Sequence, residues 1–461
     1  MSWQTVLTAM LPEHLLLLGL VLLITEEIVF ENPRGALPLS IVIVAAAAAA
    51  AASLWSSGVT VQPFPAQYAI VPATSLAKAI VLALAVPVLL MSRDEFTDSR
   101  FHLLLLSSLY GFCLLLSAES FLTLFLGLEL MSIPVYVLVL LAFRRPESVE
   151  AALKYLVLGG AATAMFLMGV SLLYGGSGSL ALSAFAGALG SGDTMATAAI
   201  VLVLVAFFLK AAIVPFHAWA PDAYEGATIP VTAYMATIVK AGVLLAAVRL
   251  FGTAQVSART IDLLALLPLI SIVWGNLTAM RQQSFRRMIA YSSIAHAGYL
   301  FYAFLGDGPG RFQAVLFYIL AYGLMNLLAF ASIPAGDDAT RDRLDNLKGL
   351  FRRDPYGALM IGIAMLSLAG IPPFPGFVAK FLIFKNVIAA GYTTYAVLGL
   401  IGSYLGIYFY LRVIQYMFMS TEEPAGTRIT SPGVAALGAS VLCLVPALLL
   451  SVFPGWVIAR L

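Results

Sequence analysis

Phe207 to Gly242 reads FFLKAAIVPFHAWAPDAYEGATIPVTAYMATIVKAG, two consecutive hydrophobic segments that each contain one lysine, Lys210 and Lys240. A lysine at the middle of a membrane span costs about 2.5 to 3.5 kcal/mol on insertion scales, so a lysine in such a place indicates function. Pro215 follows the first lysine and removes a backbone donor, which predicts a broken helix close to the charge.

The composition around this stretch is that of a membrane protein. The 461 residues are 61% hydrophobic and only 10% charged, and the mean hydropathy is +0.98. These values exclude a soluble enzyme, and a net charge of +2 spread over short loops gives no basic patch for nucleic acid. Cys113 and Cys443 lie in apolar runs, and no metal-ligand spacing or phosphate loop is present, so we expect no cofactor in this chain. Residues 1–13 lack Lys and Arg, so we expect the first span to be retained rather than cleaved as a signal.

The predicted fold is all-α and polytopic, with about 14 transmembrane helices. Apolar runs place these spans near 12–30, 36–54, 68–92, 101–117, 119–142, 149–174, 194–220, 228–251, 260–280, 285–305, 311–334, 355–390, 393–419 and 431–455.

Basic residues in the loops orient these spans. Most of them, including Arg93, Arg281 and Arg352, follow odd-numbered spans, whereas few, such as Arg311, follow even-numbered ones. Because loops rich in Lys and Arg stay in the cytoplasm, we expect both termini on the outer side of the membrane.

A short internal repeat indicates inverted symmetry. The segment I-V-P-F-H-A-W at Ile213 to Trp219 is similar to I-P-P-F-P-G-F at Ile371 to Phe377, and each lies in a span with a lysine, Lys210 or Lys380. The two spans are five apart, so the copies run in opposite directions, as in transporters with inverted repeats and discontinuous helices.

Glu129 lies near the middle of the fifth span and needs a cation. Lys154, at the start of the next span, is the nearest candidate in sequence, and we expect the two to pair. The alternative is a purely structural salt bridge.

Further polar residues are candidates for proton relay. Lys210 and Lys240 are both near mid-span, and His296 lies among Tyr and Ser side chains that can hold water. His217 directly follows the predicted helix break, where it serves either as a relay or as a cap for freed backbone groups. Two interpretations stay open for other polar residues. Lys78 and Lys385 either relay protons or snorkel to the interface, and Asp222 and Glu225 either collect protons at a channel mouth or are solvated on a loop.

Three segments together resemble a known family. They read KAAIVPFHAWAPDAYEGATIPVTAY from Lys210, IAYSSIAHAGY from Ile289 and LSLAGIPPFPGFVAKF from Leu366. The chain resembles the antiporter-like subunits of respiratory complex I, the proton-pumping NADH:quinone oxidoreductase of bacterial type. It is most similar to the subunit N branch, because span twelve carries a lysine and the chain ends soon after span fourteen.

The resemblance implies a membrane-arm subunit with two inverted five-helix repeats, each with a discontinuous helix. Its segments are an N-terminal three-helix part, a first repeat, a second repeat and a C-terminal helix, at 1–100, 101–251, 260–419 and 420–461. The family's polar axis falls on Glu129, Lys154, Lys210, Lys240, His296 and Lys380, with His217 as a less direct member.

The resemblance also implies the setting of the chain. The expected location is the bacterial inner membrane, and the expected partners are the antiporter-like subunit M, the small subunits K and J, and membrane lipids. FMN, iron–sulfur clusters and the quinone site are expected on other subunits, so this chain itself has no redox site. The expected path takes protons from the cytoplasm to Lys210 and Lys240, then by His296 to Lys380 and to the outer side, with Glu129 and Lys154 as modulators.

Two alternatives stay open. A subunit of a multi-subunit cation/proton antiporter has the same fold and would depend on sodium. A structural spacer would use the lysines only to hold helices together, and pumping would survive the loss of one of them.

Overall fold

The computed structural model describes residues 3–29, 35–96, 98–142, 145–191, 193–251, 258–305, 310–336, 340–420 and 432–461. In these residues the chain is almost entirely helical, which confirms the all-α membrane fold. The helices are α1 (Trp3–Ala9), α2 (Leu11–Val29), α3 (Ala36–Ser56), α4 (Pro72–Met91), α5 (Arg100–Leu116), α6 (Phe121–Leu140), α7 (Pro146–Ser177), α8 (Ser183–Ser191), α9 (Thr194–Ala211), α10 (Trp219–Gly226), α11 (Ile229–Tyr234), α12 (Lys240–Phe251), α13 (Ala258–Ala279), α14 (Phe285–Tyr302), α15 (Arg311–Ala331), α16 (Leu350–Arg353), α17 (Pro355–Ala369), α18 (Pro375–Ala389), α19 (Thr393–Met419), α20 (Val434–Val452) and α21 (Pro454–Ile458). Short 3₁₀-helices lie at Ser92–Asp94 and Leu344–Leu347, and a π-helix at Met235–Val239.

By length and hydropathy, ten helices of the described residues can cross a membrane, or eleven if the bent pair α1 and α2 forms one span. The apolar helices α5 and α17 are shorter than this test requires. The fold is therefore multi-span, while the number of fourteen stays a prediction.

The chain divides into two compact units. The first unit comprises Met1–Leu89, Glu95–Ala211 and Ile238–Ile261, and the second comprises Leu90–Asp94, Ala212–Thr237 and Asp262–Leu461. The segment bounds expected from the resemblance, with repeats at 101–251 and 260–419, stay a prediction.

Close contact between α5 and α6 organises the first unit. A Cβ on Gly111 would overlap the backbone nitrogen of Met131, and a Cβ on Gly127 would lie 2.6 Å from the backbone nitrogen of Leu115. Because glycine has no side chain, the two backbones approach closely, as is usual for membrane helices. This contact fixes α6, the helix that carries Glu129.

A β-hairpin covers one end of the first unit. Strand β1 (Val61–Phe64) pairs antiparallel with β2 (Tyr68–Ile70). The hairpin binds the turn after α5, where Ala69 N–H donates to the Ser117 carbonyl at 2.9 Å. Residues 68–70 were predicted as the start of the third span, but the helix begins only at Pro72, whose fixed φ suits a first helical position.

Both predicted helix interruptions are present. Span seven breaks after α9, where Ala212 adopts a left-handed φ of 61° and Pro215 follows. Span twelve breaks after α17, where Gly370 has a φ of +84° and α18 begins at Pro375. Each break leaves helix-end carbonyls without intrahelical partners, so other groups must donate hydrogen bonds to these carbonyls in both places.

Candidate functional site

Lys210 and Glu129 form a buried ion pair in the first unit. Lys210 Nζ lies 3.0 Å from Glu129 Oε1, and the two side chains are 8% and 19% exposed. The same nitrogen donates to Ser132 Oγ at 3.3 Å, and the Thr163 hydroxyl donates to Glu129 Oε1 at 2.6 Å. Since Lys210 lies in the last turn of α9, its charge also faces the negative end of that helix dipole.

The predicted partner of Glu129 was wrong. Lys154 pairs instead with Glu150, one turn earlier on α7, at 2.6 Å, and these side chains are 43% and 68% exposed. Lys154 faces outward together with Leu153 and Val157, which are also exposed, so nearness in sequence to Glu129 does not bring it inward.

Lys240 is buried in the first unit, with a residue exposure of 7%. It is the first residue of α12, which packs against α5 and α9. The π-helix Met235–Val239 directly precedes it. Such segments are rare and frequently occur at functional sites.

Lys380, in the second unit, binds the helix end that the break of span twelve exposes. Its Nζ donates to the carbonyls of Leu368 and Ala369 at 3.0 Å each, and to Ser403 Oγ at 3.1 Å. It also lies 5.2 Å from the centre of the Tyr299 ring. The ammonium therefore satisfies the last carbonyls of α17 and complements the negative end of its dipole.

His296 lies in a buried cluster of tyrosines in the second unit. Its Nδ1 is 2.8 Å from the Tyr318 hydroxyl, and its Nε2 is 3.1 Å from the Tyr410 hydroxyl. The Tyr299 ring, which contacts Lys380, has its centre 5.5 Å from that of His296. The Tyr299 ring therefore contacts both His296 and Lys380.

Sequence reasoning missed Tyr318 and Tyr410. They lie on α15 and α19, and within their own spans they look like ordinary aromatic core residues. The segment IAYSSIAHAGY, which the sequence analysis used, does contain Ser292 and Tyr299. Ser292 is hydrogen-bonded to Tyr410.

His217 lies in the break of span seven, where Trp274 Nε1 donates to its Nε2 at 3.2 Å. Ser271, on α13 like Trp274, accepts from the freed N–H of Val214 at 2.8 Å. Thus α13 supplies the hydrogen bonds at this break, while the relay role of His217 stays a prediction.

Asp222 and Glu225 are not on a solvated loop. They lie on α10, where Arg287 Nη1 binds both carboxylates at 2.8 and 2.9 Å. The adjacent Arg286 is fully buried, binds Asp342 through Nε at 3.0 Å, and donates from Nη1 to the Ala227 carbonyl at 2.6 Å. Two arginines of α14 therefore hold α10, the continuation of the broken span.

Three further charged residues bind helix ends or a neighbouring side chain. Glu26 accepts from the Gly35 N–H at 2.7 Å, and Glu27 accepts from the Ser99 hydroxyl. Arg412 donates to the carbonyl of Met280 at 2.6 Å, just beyond the end of α13. These contacts support structural roles.

The buried side chains around Lys210, Lys240, His296 and Lys380 include groups that can bind and release protons. Among the described residues no group of three or more His, Cys, Asp or Glu side chains can hold a metal ion. The buried amines of the three lysines, the Glu129 carboxylate, the His296 imidazole and the tyrosine phenols are groups that can take part in acid–base chemistry.

Comparison with known proteins finds the same architecture. The family described as NADH:quinone oxidoreductase/Mrp antiporter, transmembrane, matches residues 118–406. NADH-quinone oxidoreductase subunit N of Pelobacter propionicus is 39% identical over 446 residues, covering 95% of this chain and 96% of that protein.

Two solved structures are similar over nearly the whole length. A chain of respiratory complex I from Thermus thermophilus with bound aureothin has a TM-score of 0.84 and 34% identity, covering 97% of this chain and 98% of that one. A chain of the Mrp complex from Dietzia has a TM-score of 0.83 at 21% identity, covering 100% and 96%, and this likeness concerns the fold alone.

Proposed function

Since this chain belongs to the NADH-quinone oxidoreductase subunit N family, we propose that Glu129, Lys210, Lys240, His296 and Lys380 are the groups that carry protons through it. The chain is a proton-translocating subunit of the membrane arm of complex I, a translocase that couples electron transfer from NADH to quinone to proton pumping. The observation that best supports this choice of proton-carrying residues is the buried Lys210–Glu129 ion pair beside a broken helix.

The two partners of Lys210 suggest how proton affinity is controlled. While Glu129 Oε1 lies at 3.0 Å, its negative charge stabilises the ammonium. If Glu129 moves away, Ser132 remains as the neutral partner and the ammonium loses much of its stabilisation. Opening the pair therefore releases a proton, and closing it favours uptake.

We place the remaining groups in the order that the sequence predicted. Protons reach Lys210 and Lys240 from the cytoplasm, pass by His296 to Lys380, and leave on the outer side. The Tyr299 ring contacts both His296 and Lys380, so these two groups of the proposed path lie near each other in the second unit. The transported charge works against about 2.3 kcal/mol per 100 mV of membrane potential.

Lys154 keeps a secondary place in this proposal. It lies with Glu150 on the outward face of α7, where a charge on a neighbouring subunit can reach it. It therefore acts on the proton path indirectly, whereas Glu129 is the direct partner of Lys210.

The setting of the subunit follows from its family. Our assignment is the bacterial inner membrane with both termini on the outer side, subunits M, K and J as neighbours, and lipids around the exposed helices. FMN, iron–sulfur clusters and the quinone site belong to other subunits in this assignment.

The test is proton uptake driven by NADH in membrane vesicles that carry Lys210→Ala, with assembly of the complex checked on a native gel. We expect an assembled complex in which proton uptake and NADH oxidation both fall by about tenfold or more, the effect of losing a positioned acid or base. Lys385→Ala is the matched control, because that lysine is exposed near the end of α18.

Wild-type uptake by an assembled Lys210→Ala complex would overturn the proposal and favour the structural spacer.

A further inference from the structure

A second buried ion pair lies in the first unit, apart from the residues used above. Lys78 Nζ is 2.6 Å from Glu13 Oε1, and both side chains are 1% exposed, so Lys78 does not snorkel. Lys78 also donates to Ser117 Oγ at 2.6 Å, and the Tyr68 hydroxyl donates to Glu13 Oε1 at 2.8 Å. We call these four residues, from α2, β2, α4 and the end of α5, the hairpin cluster.

One oxygen of the hairpin cluster is left without a donor. Glu13 Oε2 is buried and has no hydrogen-bond partner among the described residues. A buried acceptor without a partner costs about 1–3 kcal/mol, and more when it is charged. Ser75 Oγ, one turn before Lys78 on the same face of α4, is also buried without a partner in the described part of the chain. Glu13 Oε2 is thus an acceptor position suited to a proton.

The hairpin cluster has the same chemical groups as the site around Lys210. There a lysine pairs with a glutamate, and hydroxyls of Ser132 and Thr163 bind the two charges. In the hairpin cluster Ser117 and Tyr68 supply the hydroxyls. Burial and the Glu13 carboxylate raise the pKa of the Tyr68 phenol well above its ordinary value, so this hydroxyl stays protonated and acts as a donor.

The hairpin separates the cluster from the surface by a single residue. Gln67 is exposed and accepts hydrogen bonds from Ser120 at 2.5 Å and Thr123 at 3.1 Å, whereas the next residue, Tyr68, is buried. The buried Tyr68 of the cluster therefore lies one residue along the chain from the surface at this end of the first unit.

We propose that the hairpin cluster is a second proton-binding site of this subunit, in which Glu13 Oε2 takes up a transported proton and Lys78 gives one up. Uptake neutralises the carboxylate and leaves the Lys78 ammonium without its counter-ion, so release from Lys78 follows, and one proton enters for each that leaves. This inference rests on the proposed function, because it adds a site to the same proton path.

The test uses the whole complex in vesicles with the variant Glu13→Gln, which keeps the size of the side chain but cannot cycle a proton. We expect a complex that still assembles on a native gel, with a rate of proton uptake that is lower by about tenfold or more, as for loss of a positioned proton acceptor. Glu119→Gln is the matched control, because that carboxylate pairs with Arg249 at the same end of the unit but is 33% exposed. Uptake at the control level in the Glu13→Gln complex, with Lys210→Ala still impaired, would overturn this inference and leave the proposed function intact.

A double variant separates proton binding from simple charge pairing. Glu13→Gln with Lys78→Met removes both charges, so no unpaired buried charge destabilises the complex. If the pair is only structural, uptake should recover in the double variant, and that result would contradict the inference. If the cluster binds a transported proton, uptake should stay low.

Infrared difference spectroscopy provides a readout that does not depend on turnover. Protonation of Glu13 gives a carboxylic acid C=O band as the pH is lowered. We expect Glu13→Gln to lose this band and Glu119→Gln to keep it, and a spectrum unchanged in Glu13→Gln would count against the site.

Discussion

Lys210 and Lys380 are both buried ammonium groups, but their negative partners differ. Lys210 faces the side-chain carboxylate of Glu129, whereas Lys380 faces the backbone carbonyls of Leu368 and Ala369 at the end of α17. A side chain can swing away, but a helix end cannot do so without moving the helix. We infer that the proton affinity of Lys210 follows a side-chain motion, and that of Lys380 a movement of the two halves of span twelve.

The carbonyl contacts of Lys380 give a prediction at this scale. Lys380→Met leaves two buried carbonyls without donors, and each costs about 1–3 kcal/mol. Lys380→Gln can still donate from its amide. We expect thermal unfolding of the purified complex at a lower temperature for Lys380→Met than for Lys380→Gln, and impaired proton uptake in both. Equal unfolding temperatures would show that Lys380 does not stabilise the break.

Single residues also show where sequence reasoning reaches its limit. The positions of Lys210 and Lys380 beside broken helices could be predicted, because proline and glycine mark such breaks. The pairing of Glu129 could not, because its partner is 81 residues away in sequence and the predicted Lys154 only 25. For the same reason Glu13 and Lys78, 65 residues apart, were not recognised as a pair.

At the scale of helices, the contact of α5 with α6 positions Glu129. We expect Gly111→Ala to separate these helices, since the new methyl group meets the backbone of Met131 and the backbone cannot yield. The expected result is a complex destabilised by about 1–3 kcal/mol, the usual effect of overpacking, with reduced assembly on a native gel.

Gly160→Ala on α7 is the matched control for this change. A Cβ at Gly160 meets no atom within 4 Å, so only the helix propensity changes, by about 1 kcal/mol in favour of alanine. We expect wild-type assembly from it. Loss of assembly in both variants alike would mean that the close contact is not the cause.

Element positions were the part of the fold most accessible from sequence, because a span requires about 20 apolar residues. The sequence analysis missed the hairpin at Val61–Ile70 and the start of α4. Strand β2 is apolar like the span that follows it, so an apolar run alone does not separate the two. The helix α10 was missed because its polar residues, Asp222 and Glu225, resemble a loop until their partner Arg287 is seen.

For the whole molecule, the alternative of a cation/proton antiporter can be tested by ion dependence, because the matching family is described as both NADH:quinone oxidoreductase and Mrp antiporter. The buried groups of the proposed path are three amines, an imidazole and the Glu129 carboxylate, whose charge the Lys210 ammonium already balances. We therefore expect proton uptake driven by NADH to be independent of sodium. The measurement replaces sodium by potassium in the vesicle assay. A fall in uptake without sodium would favour a cation/proton antiporter.

The length of α7 has a consequence for the insertion depth of the subunit. From Tyr155 to Ser177 this helix has no charged residue, and at 1.5 Å per residue the stretch is roughly 34 Å long. This nearly equals the ~30 Å thickness of the hydrocarbon layer, so the first turns of α7 extend into the layer of lipid headgroups. Lys154 and its partner Glu150 then lie at the level of the lipid phosphates. Because the charges of this pair favour the headgroup layer, they set the depth at which α7 lies in the bilayer.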